Sequence, residues 1–389
     1  MTHSTTVGKS VGIMSMQRIH NYGSFLQAFS LRGLIESADS SVRVEFVDFR
    51  PGEPLVSSAS GVTSPVQRTL AKLSDYGRLD AGIVDRVRFI NHKRRFGQHH
   101  FPLLGLSTRP NYSADVDVLV IGSDEVFNCV QSNANVGYSR DLFGHGSPAG
   151  TVISYAGSFG NTTLEKLESF GIRDQIARDL RKFSALSVRD QNSAEIVEAL
   201  TERKAEIHVD PVLAYEHLIA DRRIPSKRLH DDPYLIVYGY AGRLTPREND
   251  LIRDCAGKLG VAILCLGGVQ TCGDRFVDCS PFELLAYFRD ASAIVTDTFH
   301  GTVFSLIYGR PFASLVRPSS DHGYGNEEKL GYLLRQFGAQ EQRIDDMESL
   351  TDVLSAELDL VKIRDVLSTE RRRAHAYLAS SVSTHPSPP

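Results

Sequence analysis

Several short apolar runs, each closing in a turn and followed by a helix, constrain this chain more than any other feature. Residues 117 to 121 (Asp-Val-Leu-Val-Ile) end in Gly122-Ser123-Asp124, residues 151 to 155 end in Ala156-Gly157-Ser158, residues 184 to 188 end in Arg189-Asp190, and residues 205 to 209 end in Asp210-Pro211. Strands that are apolar throughout must be covered on both faces. Their alternation with helices predicts a parallel sheet between two helical layers. Ahead of them, residues 10 to 16 read as a strand, Asn21-Tyr22-Gly23 opens a helix to about residue 36, and residues 42 to 49 read as a second strand.

A second series begins at residue 234, with strands expected over 234 to 240, 261 to 266, 292 to 296 and 311 to 316 and helices between them. A chain of 389 residues exceeds one ordinary core, and domains of roughly 150 to 200 residues are the expectation. The order predicts two Rossmann-like α/β lobes facing a cleft. The first covers residues 1 to 215, the second 233 to 344, and the charged stretch 216 to 232 links them. A helical segment follows over 345 to 379, then a disordered tail over 380 to 389. Residues 52 to 66 read as a loop and 66 to 96 as helical.

Composition excludes some classes. With 41% hydrophobic and 23% charged residues and a formal charge of −4, the chain resembles an ordinary globular enzyme and offers no electrostatic reason to bind nucleic acid. No stretch approaches the roughly 20 apolar residues of a membrane span. Residues 1 to 9 lack the apolar core of a secretory signal, so a cytoplasmic location is expected. Cys129, Cys255, Cys265, Cys272 and Cys279 form no Cys-x-x-Cys pair and read as reduced thiols; no metal site and no cofactor is inferred. Gly8-Lys9-Ser10 is not a phosphate loop, because the glycine required five positions earlier is His3. The run Arg86, Arg88, His92, Lys93, Arg94, Arg95, His99, His100 reads as a solvated helix face, with an anionic or lipid-headgroup surface, and hence peripheral membrane contact, as the alternative.

Chemistry is expected where strands end. His300 and Gly301, preceded by Thr298, lie where an apolar strand gives way to a helix, and an imidazole suits proton transfer near neutrality; a core histidine capping the helix is the competing account. Arg189 offers a planar fork for a carboxylate or phosphate; a surface salt bridge is the competing account. Asp124, after Ser123, is either a base for an attacking hydroxyl or a turn cap. Gly23 permits a tight turn and close approach of a ligand, with a purely structural turn as the equal alternative.

In this order, Asn21-Tyr22-Gly23 with Leu26-Gln27-Ala28, Ile121-Gly122-Ser123-Asp124, Ile153-Ser154-Tyr155-Ala156, Ser187-Val188-Arg189-Asp190, Asp210-Pro211 and Thr296-Asp297-Thr298-Phe299-His300-Gly301 resemble the polysaccharide pyruvyl transferase family, over about residues 10 to 340. The resemblance implies a fold like the GT-B glycosyltransferases and transfer of pyruvate from phosphoenolpyruvate to a sugar acceptor as a ketal. It assigns His300 to acid–base work or a phosphate contact, Arg189 to the donor, and Asp124 to the acceptor, with Asn21, Tyr22 and Gly23 lining an acceptor-side cleft and Ser123, Thr298 and Gly301 also binding substrate. The chain departs from the family at Thr298, where some members carry arginine, and at Glu125 and Phe127, where Gln and Trp are frequent. A glycosyltransferase using a nucleotide sugar and a non-catalytic carbohydrate-binding relative are the alternative readings.

Overall fold

The apolar runs are strands of two separate sheets. The computed structural model describes residues 9–56, 81–112, 115–317 and 326–382. In the first six-stranded sheet, β1 (Ser10–Met14), β2 (Arg43–Phe46), β3 (Val118–Asp124), β4 (Thr151–Gly157), β5 (Ser187–Val188) and β6 (Glu206–Ile207) run parallel in the order β2-β1-β3-β4-β5-β6. In the second, β7 (Tyr234–Tyr238), β8 (Ala262–Leu266), β9 (Arg275–Phe276), β10 (Ala293–Thr296), β11 (Phe312–Leu315) and β12 (Arg343–Ile344) run parallel in the order β12-β11-β10-β7-β8-β9. All of β7 and β10 and nearly all of β3 are buried, as strands covered on both faces must be. The expected pair of Rossmann-like lobes is the observed architecture.

Each sheet reverses its strand order once, between β1 and β3 in the first and between β7 and β10 in the second. The crevice beyond the carboxyl ends of strands at such a reversal is where open α/β sheets take ligands. Helix starts there are fixed locally. Asn21 caps the helix Tyr22–Ala38 through the Gly23 amide, Asp190 caps Gln191–Thr201 through Ser193, and Thr298 caps Phe299–Tyr308 through Gly301.

The lobes do not hang on a loose tether. One apolar cluster runs through both, from Val11, Phe25 and Val120 to Ile236, Phe282 and Phe304. Phe282 meets Phe25 and Phe29 edge-on, with ring centroids 6.1 and 5.4 Å apart. The stretch expected as a linker is also packed: Leu218 and Ile224 are buried, and the Arg223 guanidinium lies 4.6 Å from the Phe29 ring and 4.3 Å from that of Phe282. Its charges concealed apolar residues that belong to the interface.

The basic helix also departs from expectation. It spans Ile83–His100, and Phe89, His92, Phe96 and His100 bury one face of it while Arg88, Arg94 and Arg95 remain exposed. The basic residues between them masked a helical stripe at 89, 92, 96 and 100. His92 Nδ1 lies 2.7 Å from Asp278 Oδ1 of the second lobe, and burial lowers the His100 imidazole to about 4. The helical expectation over 66 to 80 and the loop over 57 to 66 lie outside the described residues, as does Gly8. β9 and β12 went unread because two residues show no periodicity.

The helix Leu360–Val382 crosses back onto the first lobe, where the Tyr377 hydroxyl donates to the Ser154 carbonyl at 2.7 Å and Arg371 Nε to the Leu213 carbonyl at 3.1 Å. It carries helix through 380 to 382, where a disordered tail was expected, because Val382 is buried against the core. Residues 383–389 lie outside the described residues. Among the described residues no helix is long and apolar enough to cross a membrane. Replacing Phe282→Ala removes the central ring of the interface and should cost about 3–5 kcal/mol, read as a lower urea midpoint in equilibrium unfolding.

Candidate active site

Both reversals open on one cavity of about 250 Å³, lined from the first lobe by Asn21, Ser24, Asp124, Glu125 and Arg189 and from the second by Tyr240, Arg243, Thr298, Phe299, His300 and Lys329. It adjoins a larger vestibule of about 700 Å³ lined by Arg18, Phe49, Arg94 and Tyr112. His20, Asn21, Lys93 and Tyr240 line both.

Asp210 is the junction of the site. The end of β6 leads into it, and its Oδ1 accepts from the Val212 amide at 3.0 Å, which caps the short helix Pro211–Ala214. That bond fixes the carboxylate, and Oδ2 is shared: Arg189 Nη1 lies 3.2 Å away and His300 Nε2 3.5 Å away. Burial pushes the Asp210 carboxyl up, but His300, Arg189 and the Val212 amide outweigh it and leave the carboxyl below its usual range. A side chain from the first lobe thus orients a histidine from the second.

Arg189 reaches further. Its Nη1 lies 3.7 Å from Asp124 Oδ1, and its guanidinium stacks 4.1 Å from the centre of the Phe299 ring. Burial works against its charge, and Asp124, Asp210, Glu125 and Asp190 more than restore it. Asp124, in a left-handed conformation with φ 74°, also accepts from Ser24 Oγ at 3.0 Å. Arg189 Nε and His300 Nε2 are buried and make no hydrogen bond to any described residue.

The first lobe accommodates the histidine by omission. A Cβ at Gly23 would overlap the His300 imidazole, so glycine there admits a side chain of the opposite lobe where the sequence suggested a ligand. Asn21 Nδ2 donates to the Tyr240 hydroxyl at 2.5 Å, again across the cleft. Tyr22 shows the cavity only its ring, because its hydroxyl donates to the Cys279 carbonyl at 2.7 Å. Thr298 lines the cavity and caps the helix that carries His300.

Ser123 and Gly301, also expected to touch substrate, are not among the lining residues. Ser123 Oγ donates to Gln27 Oε1 at 2.7 Å inside the lobe, and Gly301 packs on Thr296. Conversely, Asp210, Phe299, Tyr240, Arg243 and Lys329 had been given no role at the site. Asp210 and Tyr240–Arg243 follow strands, the signal that identified Arg189. Lys329 sits in the helix Glu327–Phe337, where nothing local marks it.

Among the described residues that line the cavity, cations outnumber carboxylates. Lys93, Arg189, Arg243 and Lys329 line it against two carboxylates, Asp124 and Glu125. Glu125 bonds Lys329 across the cleft and accepts from Asn128 Nδ2 at 2.8 Å. Burial raises its carboxyl, but the Lys329 ammonium, Asn128 and Arg189 pull it down to about 2.

A carboxyl depressed in the folded state stabilises the protein above its ordinary value of 4.5, and that contribution is lost as the pH falls toward 2. Glu125→Gln should therefore be less stable than wild type at pH 7. The gap should close as the pH is lowered from 4.5 to 2, measured by urea midpoints across that range.

No curated protein matches the chain. Solved structures similar to it include a mutant of the Thermobaculum terrenum O-GlcNAc transferase, at 16% identity over 96% of this chain and 66% of that one, with a TM-score of 0.43. The Methanocaldococcus jannaschii UDP-GlcNAc 2-epimerase in complex with UDP-GlcNAc and UDP matches at 11% identity over 92% of this chain and 98% of that one, with a TM-score of 0.45. The Neisseria meningitidis UDP-GlcNAc 2-epimerase bound to UDP-GlcNAc matches at 8% identity over 96% of each chain, with a TM-score of 0.44. The model of the polysaccharide pyruvyl transferase family matches residues 21–319, and the chain belongs to that family.

Proposed function

We propose that this chain transfers pyruvate from phosphoenolpyruvate to two hydroxyls of a sugar as a cyclic ketal. The observation that carries this reading is the convergence of Arg189 and His300, one from each lobe, on the single oxygen Asp210 Oδ2. An anion clamp and a proton-transfer group held by one carboxylate are what an enolpyruvyl donor requires. The cationic lining supports a multiply charged anion, and family membership supports pyruvyl transfer in general.

In this reading His300, as imidazolium with Asp210 for a counter-charge, gives its proton to the methylene carbon of the donor, and C2 becomes electrophilic. A first sugar hydroxyl attacks C2 while Asp124 takes its proton. The bond from C2 to the bridging oxygen breaks, and phosphate leaves with that oxygen. The second hydroxyl closes the ring, and its proton returns His300 to its starting state. The proton on Asp124 leaves with phosphate, so atoms and charge balance. Arg189 pairs with the donor through its planar fork, and Asn21 and Ser24 lie on the acceptor side.

With phosphoenolpyruvate and cell-derived sugar acceptors, wild type should release phosphate and form a product carrying one pyruvyl ketal, detected by mass. His300→Ala should lower turnover about 10²–10⁴-fold. Arg189→Lys should raise the KM for phosphoenolpyruvate on the order of tenfold, since charge is retained and the fork is lost. Protection against heat by a nucleotide sugar, with none by phosphoenolpyruvate, would sink the proposal.

A further inference from the structure

At the carboxyl end of β7 the chain reads Gly239-Tyr240-Ala241-Gly242-Arg243. This turn lies beside the strand reversal of the second sheet, and Tyr240 and Arg243 both line the cavity. We propose that Arg243 is the phosphate clamp of the donor site and that Asp297 holds it in place, an inference that rests on the phosphoenolpyruvate reading above.

Phosphoenolpyruvate has two anionic ends, a singly charged carboxylate and a phosphoryl group that is dianionic near neutrality. Arg189 sits among the carboxylates of Asp124, Asp210, Glu125 and Asp190. A dianion is repelled there about twice as strongly as a monoanion, because Coulomb energy scales with charge. Arg189 therefore suits the carboxylate end. The phosphoryl end needs a second cation on the cavity wall.

Arg243 meets that need. Its Nη1 lies 3.7 Å from Asp297 Oδ2, and its guanidinium stacks 4.2 Å from the centre of the Tyr240 ring. The turn is pinned from three sides. Arg317 Nη2 donates to the Arg243 carbonyl at 3.4 Å, Gln270 Nε2 donates to the Tyr240 carbonyl at 2.9 Å, and Asn21 donates to the Tyr240 hydroxyl.

Asp297 is the second observation. It is 3% exposed, and neither carboxylate oxygen accepts a hydrogen bond from a described residue. Burial raises its carboxyl more than Arg243 and Arg317 lower it. Such a group costs stability unless a cation compensates it. Gly239 packs so closely that a Cβ there would come within 3.0 Å of Asp297 Oδ1. The carboxylate therefore sits directly beneath the turn that carries Arg243. The helix Phe299–Tyr308 begins at the same cavity, and its positive end adds to the field an anion meets.

The test is binding of three probes, phosphoenolpyruvate, inorganic phosphate and pyruvate, to folded wild type and variants by calorimetry. Wild type should bind all three. Arg243→Met should weaken phosphate and phosphoenolpyruvate on the order of tenfold or more and leave pyruvate unchanged. Arg243→Lys should weaken phosphate by less, since the charge remains without the stacked plane, and it serves as the test if the Met variant does not fold. Asp297→Asn should weaken phosphate and spare pyruvate, a split that a purely structural role would not produce. Wild type that binds phosphoenolpyruvate, with Arg243→Met or Arg243→Lys binding phosphate equally well, would overturn this inference alone. Wild type that binds neither phosphoenolpyruvate nor phosphate would overturn the donor assignment and this inference with it.

Discussion

In a parallel sheet every strand points the same way, so the chain must return along a face after each one, and all carboxyl ends collect on one edge. Two such sheets set edge to edge bring together the turns after β1, β3, β5, β6, β7 and β10. Asn21, Asp124, Arg189, Asp210, Arg243 and His300 are those turns. Every functional proposal made for this chain depends on that shared direction. It places residues far apart in sequence within a few ångströms without any long loop having to carry them.

The charges brought together this way are neutralised across the cleft as well as within a lobe. Asp210 serves His300, Glu125 serves Lys329, and Asn21 holds Tyr240. Burying a charge alone is expensive, and burying it against a partner on another lobe ties lobe position to electrostatics. Separation of the lobes would expose Asp210 and Arg189 to water and leave His300 without its carboxylate. The shared apolar cluster at Phe25, Phe282 and Phe304 resists that separation.

Much of this was legible in the sequence, for physical reasons that also mark where reading failed. A strand buried on both faces is apolar at nearly every position, so residues 118 to 121 and 293 to 295 declared themselves, and the polar residues just past such strands, Arg189 and His300, followed from topology. Side-chain direction was not available from the same pattern. Ser123 ends a strand as Asp124 does, yet its hydroxyl turns inward to Gln27, and the Tyr22 hydroxyl reaches Cys279. Lys329 was invisible because a lysine on an amphipathic helix has no local signature. Only the packing of that helix over Glu125 gives it a role.

The helix Leu360–Val382 lies against the first lobe although it is made after the second. Tyr377 and Leu378 belong to the core that Val11 and Phe25 begin. During synthesis the first lobe emerges early but lacks this covering layer until the second has been made, so vectorial folding cannot finish it on its own. The two halves mature together, and the cleft between them exists only once both are complete. A reactive site shared by two lobes is thereby kept from forming on a half-made chain.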